Sequence, residues 1–173
     1  MAARWSDPGA GAPRGYQSEG RLKAKRTYYD GRWYDSKLEA SVAKALDAAG
    51  MPYEVKPTTF MGSGYSGGQY TPDFFLKACG GIFLEVCGVF DERHQRNAAQ
   101  VLRDLPSMNS RDGTSNRYAY VMGDGLMMER PGVWYYEHEC PACGCRWLDT
   151  DEESECPDCG AYCDGRMANV FEL

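Results

Sequence analysis

Two stretches, YTPDFFL at residues 70–76 and IFLEVC at residues 82–87, decide the predicted fold. Both are rich in aromatic and branched aliphatic residues, which favour strands. The glycine pair at 80–81 predicts a tight turn between them, so the two strands are expected to be antiparallel neighbours. Because side chains alternate along a strand, the aliphatic residues of the second stretch share one face, and Glu85 and Cys87 project from the other.

The flanking sequence completes a mixed α/β domain. An Asp-Gly pair at 30–31, between aromatic runs, predicts a hairpin, and an apolar stripe from Leu38 to Ala49 predicts a helix. The remaining predicted elements are, in chain order, the two hairpin strands (27–29 and 32–34), that helix (36–49), a strand (53–55), a glycine-rich loop (61–69), a helix (91–105) and a strand (117–121).

Three carboxylates are expected to converge beside the two central strands. Pairing of these strands could bring Asp73 near Glu85, and Glu39 on the preceding helix could supply a third carboxylate. Hard oxygen ligands of this kind bind Mg²⁺ and leave coordination positions for water and phosphate. A bound ion would activate water and neutralise charge that develops on a phosphate during transfer.

Each carboxylate also has a structural interpretation. Glu39 lies three residues after Ser36, which is the spacing of a capping box. Asp73 follows Pro72 and suits a turn. Glu85 is harder to explain in this way, because a carboxylate inside an apolar strand is costly unless it is paired or coordinated.

Together these residues resemble the PD-(D/E)xK nuclease superfamily, and most closely its phage endonuclease I branch, the Holliday-junction resolvases. The similar stretches are 36–40, 53–54, 70–76 and 81–88, within a region that runs from about residue 34 to 121. The resemblance implies a restriction-endonuclease-like mixed sheet of four strands flanked by helices. It also implies an intertwined homodimer and metal-dependent hydrolysis of phosphodiester bonds in branched DNA.

The resemblance also assigns roles by matching position. Asp73 and Glu85 correspond to ligands of Mg²⁺ (or Mn²⁺), and Glu39 to a further ligand or to the residue that orients the attacking water. The family motif ends in a lysine, and Cys87 occupies that position here. A thiol cannot supply the ammonium, and loss of such a contributor typically costs on the order of 10²–10³ in rate.

Cys87 leaves several alternatives open. A cation from Arg93, His94 or Arg96, at the start of the next predicted helix, replaces the lysine; or catalysis persists without a substitute. Alternatively, the chain is a catalytically silent relative that binds DNA or protein. The structural interpretation of Cys87 is a small buried core residue, as free cysteine often is.

The acidity of the chain is concentrated at its C-terminal end. The 173 residues carry a net charge of −6 and are 43% hydrophobic, which is typical of a globular protein. Residues 133–173 hold ten acidic and two basic residues, whereas residues 1–60 carry +3. The predicted division is a flexible tail (1–20), a nuclease-like domain (21–132) and an acidic zinc ribbon (133–173).

Six of the eight cysteines lie in that acidic segment. A disulfide framework and a metal site are the two interpretations, and the lack of a secretory pattern near Met1 favours metal. Two Cys-x-x-Cys-Gly knuckles are separated by twelve residues, a spacing typical of four thiolates around Zn²⁺. The predicted ligands are Cys140, Cys143, Cys156 and Cys159. Cys145 and Cys163 remain as free thiols, alternative ligands or a partial shell of a second metal. His138, two residues before Cys140, is expected to be solvent-exposed, with a spare ligand as the alternative.

Basic residues at the start of the chain predict contacts with phosphate. They are Arg14, Arg21, Lys23, Lys25 and Arg26, followed by the aromatic residues of the hairpin. The alternative is a solvated charge run. The acidic ribbon would repel DNA, so it is expected to bind a protein partner or the basic half of its own dimer.

The sequence therefore predicts a metal-dependent endonuclease that acts on branched DNA. No run approaches the roughly 18 apolar residues of a membrane helix, so no membrane contact is expected. The predicted location is cytoplasmic, in the host cytoplasm if the chain is phage-encoded.

Overall fold

The structure is a computed structural model that describes residues 24–77, 81–89, 91–112, 116–130 and 132–172. The predicted tail (1–20) and the predicted DNA contacts Arg14, Arg21 and Lys23 lie outside these residues, as does Gly80 of the predicted turn. Within the described ranges, no helix is long and apolar enough to cross a membrane.

The described residues form two α-helices and a series of short strands. The helices are α1 Lys37–Ala48 and α2 Glu92–Asp112. The strands are β1 Thr27–Tyr29, β2 Arg32–Tyr34, β3 Tyr53–Val55, β4 Phe60–Met61, β5 Gln69–Tyr70, β6 Phe74–Leu76, β7 Ile82–Cys87, β8 Arg117–Met122, β9 Met127–Arg130, β10 Val133–Trp134, β11 Tyr136–Glu139, β12 Arg146–Asp149, β13 Glu153–Glu155, β14 Tyr162–Asp164 and β15 Arg166–Met167. A 3₁₀ turn occupies Ser66–Gly68.

The central sheet has six strands in the order β10-β9-β8-β7-β6-β3. Strands β7 and β8 are parallel and the other pairs are antiparallel, so the sheet is mixed, as predicted. The resemblance implies four strands, and the sheet is larger. The crossover between β7 and β8 contains α2, which is the usual way to join two parallel neighbours.

The two helices cover opposite faces of this sheet. The buried face of α1, which includes Val42 and Leu46, packs in one core with Leu84 of β7. The buried face of α2, which includes Val101, packs in a second core with Cys87 of β7. The predicted alternation of side chains along β7 is therefore confirmed, and burial of both faces explains why this strand is apolar apart from Glu85.

Two predicted elements differ from the structure. The stretch 70–76 is not one strand: Tyr70 ends β5, which pairs with β4, and β6 begins at Phe74. Pro72 has no N–H to donate to a ladder, so the chain leaves the sheet there. The second helix, predicted to end at residue 105, continues through Pro106 to residue 112, because a proline removes one helical hydrogen bond without always ending the helix.

The C-terminal segment packs against the central sheet and its core. Strand β10 belongs to the central sheet, and Leu148, Ala168 and Val170 lie in the core that contains α1. The guanidinium of Arg117 on β8 donates to the carbonyl oxygen of Leu148 at 2.8 Å. The predicted boundary at residues 132–133 stays a prediction, while the contacts themselves join the segment to the sheet.

Candidate functional site

Lys56 is placed beside Asp73 by the pairing of β3 with β6. In this antiparallel pair Val55 lies opposite Phe74, so the next residue on one strand meets the preceding residue on the other. The Lys56 N–H donates to the Asp73 carbonyl at 2.9 Å. Lys56 has a φ of +50°, a left-handed conformation that costs an ordinary residue roughly 1–2 kcal/mol. Backbone strain of this kind concentrates at functional sites.

The Lys56 ammonium contacts three carboxylates. It forms a close ion pair with Oδ1 of Asp73 and lies 3.7 Å from Oδ2 of Asp35 and 3.9 Å from Oε2 of Glu39. Burial acts to lower the pKa of Lys56, but the charges of Asp73 and Glu39 raise it above its usual value. The side chain is 38% exposed, so a charged amine faces both the carboxylates and solvent.

The Asp73 carboxylate is held by a backbone N–H of β7 and by the side chain of Lys56. Its side chain is buried, and its Oδ2 accepts a hydrogen bond from the Val86 N–H of β7 at 2.8 Å. The turn interpretation therefore does not account for the whole role of Asp73, because the carboxylate bridges β7 and Lys56. Burial with two partners fixes its position, which a metal ligand requires.

Glu39 lies in the capped first turn of α1 and turns its carboxylate towards Lys56. The Ser36 hydroxyl accepts from the Glu39 N–H at 3.0 Å, so Ser36 caps α1 as predicted. The Glu39 carboxylate accepts from the Asp35 N–H at 3.2 Å and faces Lys56. Burial, with the neighbouring charge of Asp73, raises the pKa of Glu39.

Glu85 is held by a pair of buried phenols. The Tyr70 hydroxyl donates to Oε2 of Glu85 at 2.8 Å and lies 2.9 Å from the Tyr118 hydroxyl. Burial, with the charge of Asp73, raises the pKa of Glu85 to about 8. Burial also raises the pKa of both tyrosines, which therefore remain hydrogen-bond donors.

Cys87 lies at the position of the family lysine and is a buried thiol. It packs in the core with α2, and burial, with the charges of Glu85 and Asp73, raises its pKa. Cys87 therefore carries no charge at neutral pH. Of the predicted substitute cations, His94 lies with Nε2 at 3.9 Å from Oε1 of Glu85. Arg93 acts on Glu85 by charge and is exposed, like Arg96.

The Lys56 ammonium, which the sequence argument missed, thus contacts Glu39 and Asp73, and the charges of Lys56 and Asp73 both act on Glu85. Comparison with models of protein families, with curated proteins and with solved structures finds no match to this chain. The chemistry of the site must therefore be argued from its own residues.

Four cysteines of the C-terminal segment form a second candidate metal centre. Their sulfur atoms lie within 4.8 Å of one another, in the set Cys140, Cys143, Cys156 and Cys159. This cluster could bind a metal such as zinc, as the spacing predicts. The first knuckle repeats the second: Gly144 and Gly160 both have left-handed φ, at +74° and +72°, and each donates to the carbonyl oxygen of the first cysteine of its knuckle.

The knuckles also direct backbone donors at sulfur. Although burial opposes the effect, the N–H groups of Cys143 and Ala142 lower the pKa of Cys140 to about 6. In the second knuckle, burial is again outweighed by the N–H groups of Cys159 and Asp158, and the pKa of Cys156 falls. Stabilised thiolates are the form in which cysteine binds metal.

The other residues considered as ligands lie outside the four-cysteine set. Cys163 is buried against it, and Cys145 is half-buried beside it. His138, predicted to be exposed or a spare ligand, is fully buried and stacks on Trp147 with ring centroids 4.8 Å apart. The exposed prediction is wrong, because His138 lies on the middle strand of a three-stranded sheet and Trp147 of β12 covers its ring.

The hairpin carries an exposed aromatic and basic surface beside the carboxylates. Tyr28 and Trp33 are paired across β1 and β2, are more than half exposed, and make an edge-to-face contact at 5.3 Å. The Arg26 guanidinium lies 5.7 Å from the centre of the Trp33 ring and 3.8 Å from Asp35. Since Asp35 also contacts Lys56, the hairpin adjoins the carboxylate cluster. Lys25 is exposed on the same segment.

Proposed function

We propose that the chain is a metal-dependent DNA endonuclease with a restriction-endonuclease-like core, directed to branched DNA. The observation that carries the proposal is the contact of the Lys56 ammonium with Glu39 and Asp73, with Glu85 near enough for its charge to act on Lys56. The restriction-endonuclease-like description and the preference for branched DNA depend on the motifs of residues 70–76 and 81–88.

Mg²⁺ or Mn²⁺ suits this donor set. The carboxylates are hard oxygen donors, and they outnumber the single ammonium. The raised pKa of Glu85 means that its charge is poorly compensated, which a divalent cation would correct. Asp73 and Glu85 would hold the ion. When bound, it would supply a more acidic water and an electrophile for the phosphate.

The protein groups around the donors have distinct roles in this proposal. The Val86 N–H holds Asp73, and the Tyr70 hydroxyl holds Glu85, so neither carboxylate needs to reorganise. Glu39, whose pKa is raised, is suited to accept a proton from water. Lys56 replaces the motif lysine: its ammonium stabilises negative charge on the phosphate. The cation thus comes from the residue that follows β3 and not from α2.

The hairpin surface is the proposed DNA contact nearest to the site. Lys25 and Arg26 neutralise phosphate, and the exposed rings of Tyr28 and Trp33 offer stacking faces for unpaired bases. Unpaired bases occur where duplex arms meet, which agrees with a branched substrate. The intertwined homodimer and the ribbon's protein partner, both expected from the sequence, belong to the same proposal.

A catalytically silent relative is the second candidate. Lys56 forms an ion pair with the same Asp73 oxygen that would face a metal ion, and Cys87 is a neutral thiol. A lysine that stays in this position would balance the carboxylates in place of the metal. The chain would then bind DNA without cutting it.

Cleavage assays on matched substrates separate these candidates. Full-length protein is incubated with a four-way junction, and with a linear duplex of the same arm sequence, in Mg²⁺ or in EDTA. The endonuclease proposal predicts cutting of the junction in Mg²⁺ alone. Cutting by Cys87→Lys but not by the wild type would establish the silent relative, and junction binding without cutting by either protein would reject the endonuclease.

A further inference from the structure

Cys87 and His94 are not used by the proposed nuclease chemistry, yet they meet at Glu85. One ligand atom from each of Glu85, Cys87 and His94 lies within 4.8 Å of the other two. Tetrahedral zinc with bonds of about 2.0–2.3 Å places neighbouring ligand atoms about 3.4–3.6 Å apart. A small contraction of side chains would therefore suffice to close the three ligands around one ion.

The fold supplies two ligands from one strand and one from a helix terminus. Glu85 and Cys87 are two residues apart on β7, so they share the face that meets α2. His94 lies in the first turn of α2, where Oδ1 of Asp91 accepts from the His94 N–H at 3.1 Å. None of the three ligand positions depends on a long loop.

The hydrogen bonds of the His94 ring select a ligand tautomer. Nδ1 lies 2.7 Å from Oδ1 of Asp91, which as a carboxylate can only accept. The Arg93 guanidinium, which can only donate, lies 3.2 Å from Nε2. Both contacts agree with a proton on Nδ1 and a lone pair on Nε2, the nitrogen that faces Glu85. A histidine held by a carboxylate through its other nitrogen is the usual second shell of a metal site.

We propose that Glu85, Cys87 and His94 form a site for a borderline transition cation such as Zn²⁺ or Co²⁺. A sulfur, an imidazole nitrogen and a carboxylate oxygen are ligands that these ions prefer over Mg²⁺. The Cys87 proton leaves to solvent as the metal–sulfur bond forms, and the Arg93 guanidinium gives up its contact with Nε2. Three protein ligands leave a fourth position for water.

Occupation of this site has a consequence for Glu85. A carboxylate that binds zinc beside Cys87 is withdrawn from its place opposite Asp73, so zinc and magnesium compete for it. Zinc beyond that held by the ribbon would then inhibit cleavage. This consequence rests on the proposed nuclease function, whereas the binding of metal does not.

The binding is tested by adding Co²⁺ to full-length protein whose ribbon is already filled with zinc. The wild type should develop a near-ultraviolet thiolate-to-cobalt charge-transfer band at one equivalent. Cys87→Ser should lose the band, and His94→Gln should bind Co²⁺ at least about 10-fold more weakly. Cys145→Ser, which removes a cysteine outside both clusters, should keep the band. Absence of a band in the wild type, or a band unchanged in Cys87→Ser and His94→Gln, would overturn the site.

The inhibition is measured separately, by adding zinc to Mg²⁺-dependent cleavage reactions. The wild type should lose activity, and His94→Gln should keep its own zinc-free rate. A cobalt band without cleavage by the wild type would leave the metal site standing and reject the nuclease. Cleavage by the wild type without a cobalt band would reject the metal site and leave the nuclease proposal standing.

Discussion

The four-cysteine cluster and the carboxylate cluster are both candidate metal centres, but they relate to folding in opposite ways. The cysteines lie on two surface knuckles over a small core in which Trp147 is the largest side chain. The carboxylates lie around a six-stranded sheet that is covered on both faces, with Glu85 on β7, Asp73 just before β6 and Glu39 on α1, and Lys56 balances part of their charge. A metal ion would therefore hold the first region together, and would only complete the second.

Loss of a knuckle cysteine is the largest expected effect. Binding of structural zinc contributes about 10–16 kcal/mol in isolated zinc-finger peptides, and the two knuckles have only a small core of their own. Cys156→Ser should abolish the tightly held zinc, measured by metal analysis, and remove hydrogen-exchange protection from residues 140–163. Protection of β7 should persist. Cys145→Ser is the control and should retain zinc. A ribbon that stays protected without metal would remove the contrast between the two centres.

Lys56→Met is expected to slow cleavage and, at the same time, to strengthen Mg²⁺ binding by the carboxylates. Without the ammonium, the maximal single-turnover cleavage rate should fall about 10²–10³-fold. The Mg²⁺ concentration for half-maximal rate should fall too, because Asp73 no longer has a competing ion pair. Lys77→Met is the control, since Lys77 pairs with Glu54 at 2.9 Å, away from Glu39. An unchanged maximal rate would show that Lys56 is not the substitute cation.

Trp33→Ala tests the hairpin as a DNA surface. Stacking of a base on an aromatic ring is worth about 1–3 kcal/mol, so the Kd for a four-way junction should rise roughly 5- to 100-fold in fluorescence anisotropy. The matched control is Tyr162→Ala, because Tyr162 is 65% exposed on the acidic ribbon. Equal losses of junction affinity in the two variants would mean that the hairpin is not a specific DNA-binding surface.

Glu85→Gln should change the pH dependence of stability in metal-free protein. The unfolded chain ionises Glu85 near its ordinary pKa of about 4.3, whereas the folded protein keeps the proton until about pH 8. The wild type therefore loses stability as pH rises through this window. At pH 8 the variant should be more stable by on the order of 1 kcal/mol, or about 2–4 °C in Tm. Below pH 4 the two should agree.

The exposed control for that prediction is Glu54→Gln on β3, which should leave the pH dependence unchanged. Tm is measured in EDTA as a function of pH. If the plots of Tm against pH are parallel for Glu85→Gln and the wild type, Glu85 does not retain its proton in the folded state.

The sequence predicts the four-cysteine cluster because its information is local. Each knuckle is five residues long, and the left-handed Gly144 and Gly160 complete it. The sequence also predicts the three carboxylates, because alternation sets the face of Glu85 on β7, Asp73 lies one residue before β6, and Glu39 lies in a capped helix. These are features that alternation and helix capping specify without knowledge of the sheet order.

Lys56 was missed because its place depends on which strands pair. The strand at 53–55 was predicted, but its pairing with β6 was not, and only that register brings Lys56 to Asp73. The sequence argument favours Arg93, His94 and Arg96 because they lie at the start of the helix that follows Glu85. An antiparallel alignment of β3 and β6 would have identified Lys56, since Val55 opposite Phe74 places residues 56 and 73 side by side.

The central claim is most directly tested by the single-turnover rate of four-way junction cleavage in Mg²⁺ by the wild type, Asp73→Asn and Glu54→Gln. The account predicts that the wild type and Glu54→Gln cut at similar rates, and that Asp73→Asn is slower by about 10³-fold while it still binds the junction. Cleavage by Asp73→Asn at the wild-type rate, or no cleavage by any of the three, would contradict it.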